Sequence, residues 1–132
     1  MFTRVHHVGL VVRRLEDGLA LWRDRFGLRV SAEATVQDQG VKAALLPIGR
    51  SEIELLEPIN PNGGVAKFLE KRGEGLHHVG YRVDDCAAAL AAMVAAGATA
   101  IDKEPRPGSR GTTVAFVHPK GSFGTLIELV QE

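Results

Sequence analysis

The apolar pattern switches period several times along the chain, and the switches define its elements. Over Val5–Val12, Val8, Leu10 and Val12 alternate with Gly9 and Val11, which predicts a strand. From Leu15 the spacing becomes helical through Leu19, Trp22 and Phe26, with Gly27 as a stop. Leu28–Val36, Val41–Pro47 and Ser51–Glu57 read as further strands, the last two joined by a tight turn at Ile48-Gly49-Arg50. Pro58–Gly64 is dense in turn residues and leads into a short helix over Val65–Arg72, ended by Gly73–Gly75. The order then repeats. Leu76–Val83 reads as a strand. Asp84 or Asp85 caps an Ala-rich helix that Gly97 ends, with Leu90, Met93 and Val94 as its apolar stripe. Thr99–Asp102, Thr112–His118 and Thr125–Val130 read as strands, with a basic, Gly-rich loop at Arg106–Gly111. The expected fold is α+β, with two pseudo-symmetric βαβββ modules forming a curved mixed sheet in one domain, residues 1–132. The modules span about 1–58 and 76–132, with a connector at 59–75.

Sequence identity between the halves supports that reading. HHVGLVV (His6–Val12) returns as HHVGYRV (His77–Val83), and IELL (Ile53–Leu56) returns as IELV (Ile127–Val130). Strand side chains alternate faces, so the two histidines of each pair point opposite ways. His6 and His77 share the more continuous apolar face, which should pack on a helix, and are expected to be structural. His7 and His78 then point into the hollow of the sheet, where Gly9 and Gly80, two residues on, leave room for a bulky occupant. By the same alternation Ile53 and Leu55 face the helix and Glu54 points inward. Ile127 and Leu129 face the other helix and Glu128 points inward. An inward carboxylate among apolar residues is costly unless paired or metal-bound. Two of them, matched by two inward imidazoles, suit a divalent cation at a metal site shared by the modules.

Composition narrows the partners. Sixteen basic residues balance sixteen acidic ones, which lacks the basic footprint of a nucleic-acid-binding domain. No apolar run approaches a membrane span, and the N-terminus enters a strand pattern without a signal-peptide hydrophobic region. Cys86 is the only cysteine, so no internal disulfide is possible, and its place in the Ala-rich helix suits a small core residue. The expectation is a cytoplasmic protein with neither nucleic acid nor membrane as partner.

The segments HHVGLVV, WRDRFGL, QGVKAALLPIG, IELLEP, AKFLEKRGEGLHHVGYRVDD, PRPGSRG, VAFVHPK and GTLIELVQ run nearly end to end. Through them the chain resembles the vicinal oxygen chelate superfamily and, within it, the methylmalonyl-CoA epimerases. GEGLHH and FVHPK…GTLIEL are the most specific of these segments. The resemblance implies a homodimer, a divalent cation such as cobalt, and an acyl-CoA substrate. It also implies His7, Glu54, His78 and Glu128 as ligands, the quartet reached from strand alternation. Such an enzyme removes the proton between a thioester and a carboxylate and returns it on the opposite face. Glu128 is the candidate proton carrier. Gln39 and Lys42, near the QG turn, are candidates for the substrate carboxylate. Arg106, Arg110, Lys120 and the Lys67/Lys71/Arg72 group are candidates for the CoA phosphates. One departure stands out. Some members carry a Glu on the strand after the QG turn, where this chain has Val41-Lys42-Ala43. Competing expectations are a glyoxalase-I-like lyase and a non-catalytic binding protein of the same fold.

Overall fold

The computed structural model describes all of residues 1–132. Its elements are β1 (Phe2–Val11), α1 (Leu15–Leu19), β2 (Ala32–Val36), β3 (Val41–Ile48), β4 (Ser51–Pro58), α2 (Gly64–Arg72), β5 (Gly75–Val83), α3 (Cys86–Ala95), β6 (Arg106–Pro107), β7 (Thr113–Val117) and β8 (Leu126–Gln131). The fold is α+β, as the alternating periods predict. The chain divides into two compact units, one of Val8–His77 and one of Met1–His7 with His78–Glu132. The division falls inside β1 and β5, between His7 and Val8 and between His77 and His78.

In the Val8–His77 unit the strand order is β2-β3-β4-β1. β3 and β4 form a long antiparallel hairpin in which Leu45 faces Glu54 and Ala43 faces Leu56. Gly49 sits at its turn with φ of +58°, a backbone state that favours glycine. α1 runs directly into a π-helical turn, Ala20–Arg25, closed by Gly27 at φ +77°. Leu19, Ala44, Leu46, Ile53 and Leu55 form the core under this helix, with Val8, Leu10 and Val12 packed against it. These are the helix-facing residues that alternation selects. The opposite face carries Val11, Val41, Ala43 and Leu56, and Val65, Phe68 and Leu69 of α2 pack there.

In the other unit the order is β1-β5-β8-β7-β6. β5 and β8 are parallel while β7 pairs antiparallel with both β8 and β6, so the sheet is mixed. Asp85 caps α3 by accepting a hydrogen bond from the Ala88 N–H at 3.0 Å. Val83, Cys86, Ala89, Leu90, Ala115, Val117 and Leu129 form its core. Cys86 is fully buried there, and burial is the first cause raising its thiol pKa.

Two strand expectations are corrected. Thr99–Asp102 lies along β7 but forms no regular ladder: it makes an isolated bridge, Ala100 with Val117, with the His118 N–H donating to the Thr99 carbonyl at 2.8 Å and the Ile101 N–H to the Phe116 carbonyl at 2.9 Å. The Asp102 carboxylate takes the Phe116 N–H at 2.8 Å, a donor that a regular ladder would give to a backbone carbonyl. The edge strand of this unit is instead β6, inside the stretch read as a loop. It lasts two residues, Arg106 opposite Val114 and Pro107 opposite Thr113, because proline has no N–H to extend a ladder. The strand expected over Leu28–Val36 also begins later, at Ala32.

Candidate functional site

Three side chains converge in the unit that contains β5 and β8. Gly80 stands opposite Glu128 in the parallel β5–β8 register, and Phe116 of β7 stands opposite Glu128 on the other side. His78, Gly80, Glu128 and Phe116 therefore share one face, and His7 of β1 meets them. The Nε2 atoms of His7 and His78 are 2.9 Å apart. The Glu128 Oε1 atom lies 3.0 Å from the first and 3.3 Å from the second. His7 is 7% exposed, His78 5% and Glu128 9%. Gly80 makes room for this: a Cβ there would stand 2.3 Å from Cε1 of His7 and 2.6 Å from its Nδ1. The occupant foreseen for the glycine's space is thus the His7 ring itself.

The donor chemistry fits a divalent cation. Two neutral imidazoles bonding through Nε2 and one carboxylate would turn lone pairs towards a common point. Around an ion bonded at about 2.1 Å, neighbouring donors stand about 3.0 Å apart in an octahedron and about 3.4 Å in a tetrahedron. The observed 2.9, 3.0 and 3.3 Å lie close to these spacings, so the three atoms could share one ion. Burial pushes the Glu128 carboxyl pKa up. Hydrogen bonds and charge from His7 and His78 outweigh that and hold it at about 2, below its ordinary 4.5.

Around the three groups lie His6 and Phe116, which the sequence reading did not select for the site, and Arg106, which it named for the CoA phosphates. His6 is 7% exposed, and its Nδ1 is 2.8 Å from the Nδ1 of His7. Its face was expected to belong to the helix. In the second copy His77 does behave structurally, stacking edge-to-face on Phe68 of α2 at 4.8 Å. The Phe116 ring centroid is 6.0 Å from that of His78, and the Arg106 guanidinium lies over Phe116 at 5.4 Å. The Arg106 Nε also donates to Asp102 at 3.1 Å. Alternation along β7 places Phe116 on the inward face, so its position was legible there. Nothing in the sequence ties His6 to His7.

Glu54, Gln39 and Lys42 lie in the Val8–His77 unit. Glu54 is half-buried on β4, on the face shared by Ala43, Leu45 and Leu56. Ala43 leaves the β3 side of that face without an acid or base near Glu54. His7, Glu54 and His78 each offer one donor atom suited to a metal ion. Gln39 is exposed in a 3-10 turn, Gln37–Gln39, ahead of the left-handed Gly40. Lys42 alternates to the opposite face from Ala43. It lines a cleft of about 450 Å³ with Arg14, Leu15, Glu16, Leu19, Glu33 and Glu57, beside α1.

Comparison with known proteins agrees with the fold. A profile of the glyoxalase/bleomycin resistance protein/dioxygenase superfamily matches residues 6–116. The ethylmalonyl-CoA/methylmalonyl-CoA epimerase of Cereibacter sphaeroides is 38% identical, over 99% of each chain. A structure of methylmalonyl-CoA epimerase in complex with methylmalonyl-CoA and NH4+ superposes with a TM-score of 0.94 at 35% identity, covering 100% of this chain and 96% of that one. The Mycobacterium tuberculosis methylmalonyl-CoA epimerase gives a TM-score of 0.91 at 32% identity, over 98% of this chain and 88% of that one.

Proposed function

Since the chain belongs to the glyoxalase/bleomycin resistance protein/dioxygenase superfamily, we propose that it interconverts the two epimers of methylmalonyl-CoA with a divalent cation, cobalt or an ion of similar chemistry. The observation that carries this reading is the convergence of His7 Nε2, His78 Nε2 and Glu128 Oε1. Its support is a chain similar throughout to proteins named as epimerases of that substrate. When bound, the cation would supply Lewis-acid stabilisation of negative charge developing on the thioester oxygen.

The residues divide the work as follows. His7 and His78 would hold the cation through Nε2 and Glu128 through Oε1. Glu54, the counterpart of Glu128 in the IEL repeat, is the fourth ligand of the proposal. Phe116 beside His78 keeps that side of the site apolar, which strengthens the electrostatic attraction within it. Arg106, held over Phe116, offers a guanidinium to an anionic part of the substrate, its carboxylate or a CoA phosphate. Gln39 stays in the proposal as a substrate contact. Lys42 stays only through the cleft that it lines beside α1.

Glu128 also remains a candidate proton carrier. Its depressed pKa works against that role, because an efficient acid or base has a pKa near the working pH. If Glu128→Gln retains both cation and full activity, the role is removed. No helix is long and apolar enough to cross a membrane. The proposal places the protein in the cytoplasm as a homodimer.

Solvent exchange tests the reading. Methylmalonyl-CoA is incubated in deuterated water with cobalt-loaded and with chelator-stripped protein. The expected result is cation-dependent deuterium at the α-carbon. Absence of exchange in the cobalt-loaded protein refutes the proposal, and turnover of a glutathione hemithioacetal in its place would favour a lyase.

A further inference from the structure

We propose that His6 is a positioning residue for His7, keeping the His7 ring proton on Nδ1 so that the Nε2 lone pair is free for the cation. This inference rests on reading His7, His78 and Glu128 as cation ligands. It concerns where a neutral ring carries its proton, and how the ring is held.

The two rings stand edge to face, with centroids 5.1 Å apart and planes at 84°. Their Nδ1 atoms, 2.8 Å apart, are within hydrogen-bonding distance. Such a contact works with one proton between the nitrogens: two protons would collide, and none would leave two lone pairs facing. The Nε2 of His7 is directed at His78 Nε2 and Glu128 Oε1. A neutral His7 that gives its Nε2 lone pair to a cation must carry its proton on Nδ1. His6 Nδ1 then accepts that proton's hydrogen bond. His6 consequently carries its own proton on Nε2, which faces the Glu132 Oε2 atom at 3.8 Å.

That distance is too long for a direct hydrogen bond, but Glu132 is held where its charge favours the Nε2–H form of His6. Arg4 Nη2 reaches Glu132 Oε1 at 2.5 Å, and Arg82 Nε donates to the same atom at 3.1 Å. Arg82 is fixed in turn by Asp84 at 2.7 Å and by the Thr3 hydroxyl at 3.0 Å. His6 is 7% exposed, so solvent provides little competition for the contact. His77, at the same place in the second copy of the repeat, faces Phe68 instead. Support for a ligand ring by a neighbouring acceptor is a known way of fixing its tautomer. Here the acceptor is the preceding residue of the same strand.

The test uses the full chain loaded with Zn2+, whose diamagnetism permits NMR. Zinc affinity is measured by calorimetry for the wild type, His6→Ala, His6→Asn and His77→Ala. The His7 ring protons are followed by long-range nitrogen–proton NMR. In His6→Asn the amide oxygen can still accept from the His7 Nδ1–H. The expected pattern is a protected Nδ1–H on His7 in the wild type and in His6→Asn. His6→Ala should lose that protection and bind zinc about 10- to 100-fold more weakly, while His77→Ala keeps wild-type affinity. Unchanged affinity and protection in His6→Ala would overturn this inference alone. Failure of the wild type to take up zinc or cobalt would overturn it together with the metal reading.

Discussion

The two copies of HHVG make a direct comparison. In both, the second histidine points into the site, and His7 and His78 meet there through Nε2 atoms 2.9 Å apart. The first histidines differ. His6 abuts the Nδ1 of His7, with Glu132 beyond it, whereas His77 packs on Phe68 of α2. The four residues are the same, the strands have the same alternation, and the roles still diverge. Strand alternation decides which way a side chain points. What it meets is decided by the neighbouring element, the end of β8 for one copy and a connector helix for the other. A duplicated motif therefore transmits its inward residues faithfully and leaves its other face to local context.

The largest expected effects fall on the shared half of the comparison. His78→Ala and Glu128→Ala should each lower cation affinity by more than the about 10- to 100-fold that supporting residues cost, measured by calorimetry with Co2+. Retention of tight binding by either variant would remove that residue from the site. Gly80→Ala comes next. Its new Cβ would lie 2.3 Å from the His7 ring, so the ring must move. Such overpacking costs about 1–3 kcal/mol, and chemical denaturation should show that loss alongside weakened cation binding. Wild-type affinity in this variant would mean that the His7 orientation is not critical. A smaller effect belongs to the divergent half. His77→Ala should lose about 0.5–1.5 kcal/mol of ring packing with Phe68 and leave cation affinity unchanged. A drop in affinity would make the two copies equivalent after all.

A separate expectation, outside that ranking, is a pH dependence in the metal-free protein. The folded-state pKa of Glu128 is depressed, so the stability from its ionisation is fully present above its ordinary 4.5. It is lost as pH falls through about 2. Carboxyl carbon NMR should show Glu128 ionised at pH 4 and titrating only near that lower value. A midpoint near 4.5 would contradict the close contact with His7 and His78.

Much of this was legible in the sequence because strand alternation acts locally. It correctly selected Val8, Leu10, Val12, Ile53 and Leu55 for the helix face of one unit, and Ile127 and Leu129 for the other. It also brought out His7, His78 and Glu128 as inward residues. What escaped depends on contacts distant in sequence or on irregular backbone. His6 reaches Glu132 at the opposite end of the chain. The strand expected at Thr99–Asp102 gave way to an aspartate side chain bonding to Phe116, and no apolar pattern encodes that choice. Alternation does put Lys42 on the opposite face from Ala43, where the cleft beside α1 lies.

The most direct test of the central claim is a Co2+ titration of the whole chain, read by calorimetry and by metal analysis of the dialysed complex. Saturable uptake of one ion per chain is expected, lost in His78→Ala. A wild-type protein that takes up no cobalt, or a His78→Ala variant that binds it as tightly, would contradict the claim that the two inward histidines and Glu128 form a metal site.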